Sequence, residues 1–383
     1  MKTRRGHNPT VQGTGFAVAI VCNPITAVWQ LVLVMVALSS TALAPLALAD
    51  ISLEEKPAEV IERPWTTSLY LENDMFGNTD QDYTSGIRLS WISPNLASYR
   101  GDPAVPPIVN RVNKRLDKMF DFRTGLSRNV VISLGQLIYT PSDREARELL
   151  EDERPYAGYL YLSFGFHART AQRLDSVEVN IGVVGPASLA QQSQNAIHDL
   201  RGIDRFQGWR NQLRNEPALR LVYENKLRLF KHDLFANIQH DFISHAGLAL
   251  GNVGSYVNVG GEYRFGWDLP EDFGTSAVRP AGDNSAPGAG DNRLIISDRW
   301  LHGLHGFISV DGRAVANDIF LDGNTWRDSH SVDKRHFVAD VSVGVSFLVR
   351  QWKISYAQVF RTREFKGQDK HHEYGSLGIS YTW

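Results

Sequence analysis

Between Glu72 and Gly86 the chain reads "ENDMFGNTDQDYTSG", which packs Asn73, Asp74, Asp80, Asp82 and Thr84 into one short polar stretch. Small side-chain oxygens at this density can hold a hard cation such as calcium, close a tight turn, or line an active site. The composition of the stretch does not choose among these. The choice depends on the elements that carry it and on what they bring alongside.

Alternating apolar residues flank the stretch, and the same period-two pattern recurs along most of the chain. Ile87, Leu89 and Trp91 alternate with Arg88 and Ser90, and Leu160, Leu162, Phe164 and Phe166 with Tyr161, Ser163, Gly165 and His167. Val177, Val179, Ile181 and Val183 form another row, and the longest runs Phe337, Ala339, Val341, Val343, Val345, Phe347. The chain closes with Leu377, Ile379, Tyr381 and Trp383 on one face and Ser376, Gly378, Ser380 and Thr382 on the other. Alternation of this kind is the strand signal. Here the second face is polar or glycine, as a barrel needs when it turns its apolar side to lipid and its polar side to the lumen. A soluble β-sandwich is the plainer alternative.

Twelve strands are expected, near 65–74, 83–93, 128–139, 156–168, 174–184, 217–229, 233–246, 254–267, 298–312, 334–349, 351–363 and 373–383. The fold class is therefore all-β, a twelve-stranded antiparallel transmembrane β-barrel of the outer membrane, with both termini on the periplasmic side. Tyr83, Trp91, Trp267, Trp300 and Trp352, near strand ends, are expected to form interfacial aromatic girdles.

The first 49 residues read differently. Lys2, Arg4 and Arg5 open the chain, no acidic residue precedes Asp50, and an apolar run ends in Ala47-Leu48-Ala49. These features predict a secretory signal over 1–49 and a single barrel domain over 50–383. The one cysteine, Cys22, falls in the signal, so neither disulfides nor thiolate chemistry is expected in the mature chain. Removing the three basic residues takes the formal net charge from −2 to −5. That balance, with no nucleic-acid motif, argues against a nucleic-acid partner.

Three segments interrupt the strands. "PPIVNRVNKRLDKMF", in the 94–127 insertion, has the spacing of a basic amphipathic helix. The 187–203 segment has helical spacing, and the Gly-, Pro- and Asp-rich 269–292 insertion reads as a mobile loop. In an up-and-down barrel the odd-numbered connections share one mouth. The 72–86 stretch, "YTPSDREAREL" and the helix-bearing fifth connection therefore converge there, at the extracellular side.

Five motifs, in order, carry a resemblance: "ENDMFGNTDQDYTSG", "GQLIYTPSD", "RPYAGYLY", "GVVGPASLAQQSQNAIHDLRG" and "GWRNQLRNEP". Together they resemble the outer-membrane lipid A deacylase family, over about Leu69 to Trp383. That resemblance implies a calcium-dependent hydrolase that removes the 3′-linked acyloxyacyl group from lipid A of lipopolysaccharide. It makes His198 the general base toward water, a role that suits an imidazole. A rim histidine with a structural hydrogen bond is the alternative without it.

Asn73 and Thr84 then join the catalytic set, with Asn73 holding the oxyanion or positioning the water. Asp74 is the first calcium ligand, with Asp204 standing where the family has a longer Glu. Asp80 and Asp82 are turn residues. The family's Lys-Arg pair is not reproduced. Arg144 and Arg147 are expected instead to meet phosphate or sugar groups of the substrate. The protein is expected as a monomer.

Two rival readings stay open. One is an outer-membrane phospholipase with a Ser-His nucleophile, for which Ser142 or Ser85 would serve. The other is a non-enzymatic, porin-like barrel.

Overall fold

The computed structural model describes residues 59–74, 82–96, 126–275, 283–297 and 299–383. The expected signal over 1–49, the basic helix within 94–127 and Asp80 lie outside them. Asp82 opens a strand, but its side chain lies outside them too. Among the described residues no helix is long and apolar enough to cross a membrane.

Twelve antiparallel strands close into one barrel. In chain order they are β1 Thr66–Asn73, β2 Asp82–Ile92, β3 Ser127–Thr140, β4 Ala157–Arg169, β5 Arg173–Val184 and β6 Glu216–Phe235. Then follow β7 Ile238–Gly251, β8 Gly254–Trp267, β9 Leu301–Asp318, β10 Phe337–Val349, β11 Trp352–Arg361 and β12 His372–Thr382. Each strand pairs with its sequence neighbours, and β12 pairs with β1 to complete the ring (Leu377 opposite Leu71). Closure leaves no sheet edge, so every strand finds backbone partners on both sides, as hydrocarbon surroundings require.

The alternating rows face as expected. Ile87, Leu134, Leu162, Ile181, Leu219, Val259, Ile308 and Val343 stand exposed on the outer wall. Ser68, Arg88, Ser90, Ser133, Ser163, Glu178 and Asn180 are buried inside. Inward charges are matched: Arg88 pairs with Glu178 at 2.8 Å, Arg361 with Asp340 at 2.8 Å and His245 with Asp311 at 2.7 Å. Trp91, Trp300 and Trp352 are exposed near the end of the barrel that carries the termini. Trp383 stacks on Trp65 there.

Three expectations need correction. Tyr83 is no girdle residue. It turns inward, 3% exposed, and packs on Tyr139 and Tyr374. A register shift between Tyr83 and Ser85 breaks the inside–outside alternation of β2 at that point.

The hairpin expected to turn between 229 and 233 runs on to Ala236-Asn237, both at positive φ (44° and 64°), the backbone of a two-residue hairpin turn.

The 269–292 insertion is not a mobile loop where it is described. Asp272, Phe273, Asp283, Asn284, Ser285 and Asp291, with Arg293 directly after the insertion, are buried inside the barrel. Asp272 contacts Arg264 at 2.7 Å and Lys353 at 2.6 Å, from strands β8 and β11, and Arg293, directly after the insertion, at 3.2 Å. Burial by itself would raise the Asp272 carboxyl, but these three cations hold it far below the ordinary carboxylate range. The insertion is thus a plug. A short ladder between Glu59–Val60 and Ile295–Ile296 anchors its far end.

At the opposite mouth an aromatic layer crosses the lumen. Tyr139 stacks on Phe320 with ring centroids 4.1 Å apart, and Tyr159 on Tyr161 at 4.8 Å. Phe320 comes from a short helix, Ile319–Asp322, that follows β9. Between layer and plug lies a cavity of about 130 Å³ lined by Glu72, Arg220, Glu224, Glu262 and Asp311, among others.

Candidate functional site

Strand parity gathers the connections 74–81, 141–156, 185–215, 319–336 and 362–371 at one mouth, opposite the termini. The fifth connection carries helix α1, Ala190–Arg201. Its buried face is Ala190, Gln194 and His198, at i, i+4 and i+8. Leu189 enters the helix in the left-handed conformation, and Gly202 leaves it at φ 66°. There Ile203 N donates to His198 O at 2.9 Å, closing the last turn.

The helix sits on the barrel through a cluster of Ile138, Tyr156, Ala190, Phe206 and Trp209. Trp209 Nε1 donates to Gln194 Oε1 at 2.8 Å. Burial pushes the Tyr156 phenol up to about 12, so it packs here as a neutral ring. A Cβ on Gly158 would lie 2.2 Å from the Ala190 Cβ and 2.1 Å from Ser188 Oγ, so only glycine lets the helix seat this closely on β4. The motifs "RPYAGYLY" and "GWRNQLRNEP" thus act as the saddle for α1.

His198 is 2% exposed. Its Nδ1 lies 2.8 Å from the main-chain oxygen of Asp204. A carbonyl only accepts, so Nδ1 is the donor in this bond. In the neutral ring, Nε2 is then the nitrogen without the proton. Phe206 meets the ring edge-on at 5.7 Å. The Asp204 side chain itself is exposed. Its link to His198 thus runs through the backbone, and the loop geometry behind it is braced by Arg205, whose Nε donates to Asp199 at 2.7 Å.

The oxygen-rich stretch lies on the neighbouring arc. Asn73 Nδ2 donates to Thr84 O at 3.0 Å, and the Thr84 and Thr140 hydroxyls lie 2.6 Å apart, both buried. Asp74, directly after β1, is fully buried. Asn73 and Thr84 therefore come together, and His198 and Asp204 come together. Strand β3 joins the two groups, because it supplies Thr140 to the first and Ile138 to the saddle of the second.

Arg144 and Arg147 are exposed, and it is their main-chain oxygens that tie loops together. Gln207 N donates to Arg144 O at 2.9 Å, and Asn211 Nδ2 to Arg147 O at 2.9 Å. Their guanidiniums remain at the surface of the same mouth. Ser142 donates its hydroxyl to Glu153, and Ser85 faces outward opposite Ile138.

Gln194 was missed in the sequence. Its signal is the one-turn spacing before His198. Among the described residues its buried Nε2 has no hydrogen-bond partner.

As to metal, no group of three or more His, Cys, Asp or Glu is assembled among the described residues. Calcium takes six to eight oxygens, and many of them are carbonyls. The buried Asp74 carboxylate fits such a donor set in kind.

The family model described as outer membrane protein LpxR matches residues 31–383. Among solved structures, LpxR from Salmonella typhimurium is 19% identical, covers 82% of this chain and 99% of its own, and superposes with a TM-score of 0.62. The β domain of the Bordetella autotransporter Brka (8% identical, 84% and 98% covered) reaches 0.38, and the translocator domain of NalP from Neisseria meningitidis (8%, 94% and 97%) 0.34. No curated protein sequence matches. The family match over nearly the whole length, with a fold that superposes on LpxR, leads to one conclusion: the chain belongs to the LpxR outer-membrane protein family.

Proposed function

We propose that this protein is a calcium-dependent ester hydrolase that removes the 3′-linked acyloxyacyl group from lipid A of lipopolysaccharide, with the mouth carrying α1 outside the cell. The observation that carries the reading is the buried His198, whose Nδ1 is committed to Asp204 O. A general base needs one tautomer held in one direction, and that bond supplies both. Nε2 takes a proton from water as the water attacks the ester carbonyl, and returns it to the leaving alkoxide.

Asn73 stands at the oxyanion side. Thr84, through its main-chain bond to Asn73 and its hydroxyl contact with Thr140, fixes where that side chain ends. Asp74 and Asp204 are the carboxylates that would hold calcium, which supplies Lewis-acid polarisation of the carbonyl when bound. Arg144 and Arg147, exposed at the same mouth, meet substrate phosphate. The Ser-His alternative is weaker, because the Ser142 hydroxyl is engaged with Glu153.

The test is product analysis. Purified protein folded in detergent is incubated with lipid A, with calcium or with EDTA, and the products are read by mass spectrometry. Loss of the 3′ acyloxyacyl mass with calcium only is the expected result. An intact lipid A alongside cleaved phospholipid would replace the substrate.

A further inference from the structure

The outer wall carries a second feature, on β8, β9 and β10, away from the arc that bears His198. In register, Val259, Gly312 and Ala339 lie side by side, as do Val257, Ala314 and Phe337. Val257, Val259 and Phe337 stand out at 57%, 66% and 79% exposure. Between them β9 presents only Gly312 and Ala314. The result is an open groove of about 670 Å³, within the range of small-molecule sites.

Arg335 and Arg363 line the end of this groove at the α1 mouth. The segments that bear them are pinned together. Arg335 N donates to Glu364 O at 2.7 Å, Arg335 Nε to Phe365 O at 3.4 Å, and Thr362 N to Ala339 O at 2.9 Å. The nearby carboxylates are already taken, Asp333 by Lys366 and Glu364 by Arg154 and Arg361. Among the described residues neither Arg335 nor Arg363 has a salt-bridge partner.

An apolar trough on a lipid-facing wall, ending in two guanidiniums at the level where strands meet loops, matches an acyl chain with a phosphate at its head. Two guanidinium forks favour a phosphate monoester, with its higher charge and three terminal oxygens, over the singly charged diester of a zwitterionic headgroup. We propose that the groove seats one molecule of a phosphate-monoester glycolipid of the lipid A class, as a non-hydrolysed bound lipid, with an acyl chain along Gly312 and Ala314 and the phosphate on Arg335 and Arg363. The assignment of this class rests on the functional reading above, which places that leaflet at this mouth.

Native mass spectrometry of the detergent-folded His198→Ala protein, titrated with hexa-acylated bisphosphoryl lipid A, tests it. Two lipids per barrel are expected, one at each site. The added Arg335→Gln/Arg363→Gln pair, or Ala314→Leu filling the trough, leaves one lipid and weakens the lost site at least tenfold. With His198 restored, both groove variants deacylate lipid A within twofold of the wild type. If lipid A is not deacylated by the wild type at all, the functional reading fails. The groove is then judged separately, by a drop from one bound lipid to none. Unchanged stoichiometry in both groove variants, or equal retention of phosphatidylglycerol, overturns the proposal.

Discussion

His198 Nδ1 donates to the main-chain oxygen of Asp204 across 2.8 Å. The bond gives Asp204 a role through its backbone, as acceptor for the imidazole, separate from the calcium-holding role proposed for its carboxylate. Asp204→Ala should therefore keep kcat within about tenfold at saturating calcium and raise the calcium concentration required. A 10²-fold or greater loss of kcat at all calcium concentrations would contradict the backbone role.

The helix that carries His198 depends on the missing side chain at position 158. Gly158→Ala would drive a Cβ to within 2.2 Å of Ala190. The barrel, closed by ladders on every side, should still fold and show its heat-dependent shift on a gel. Hydrolysis should fall by about ten- to a hundredfold, since small displacements of a catalytic group are costly. Unchanged kcat would mean the helix does not need this seat.

The alternating rows, the strand number and the mouth that holds each connection were legible in the sequence, because lipid on one side and a polar lumen on the other impose a period of two. What escaped depends on contacts distant in sequence. Composition made 269–292 look mobile, whereas Asp272 draws its partners from Arg264 and Lys353, and nothing local announces them. Tyr83 lost its girdle role to one register shift, and the 236–237 turn was hidden by a hairpin that overruns the wall. At the candidate site, the sequence paired His198 with Asp204, and the two do meet. That the link uses the carbonyl was not readable, because every residue has one.

Asp272 faces three cations inside the barrel, so Asp272→Asn should destabilise it by about 3–5 kcal/mol, the usual cost of leaving buried charges uncompensated. Urea unfolding followed by gel shift measures this. Asp272 and Asp291 are both depressed in the folded state, against the effect of burial, by cations that include Arg293. Their contribution is then fully present above the unfolded value of about 3.9 and is lost as pH falls below it toward the folded values. Stability from these groups should be flat between pH 8 and 5 and decline only in stronger acid. A decline already at pH 6 would mean that other groups govern the plug.

With plug and aromatic layer both in place, the lumen should not conduct. Planar bilayers containing the wild type are expected to stay silent, and Asp272→Asn to show intermittent openings. Steady porin-like currents from the wild type would show that the plug does not close the lumen.

The most direct test compares wild type with His198→Ala on lipid A in calcium, with the released acyl group counted by mass spectrometry. The account predicts a loss of about 10²–10⁴ in rate for the variant, in a barrel of unchanged heat-shift behaviour. Hydrolysis by His198→Ala at the wild-type rate would contradict it.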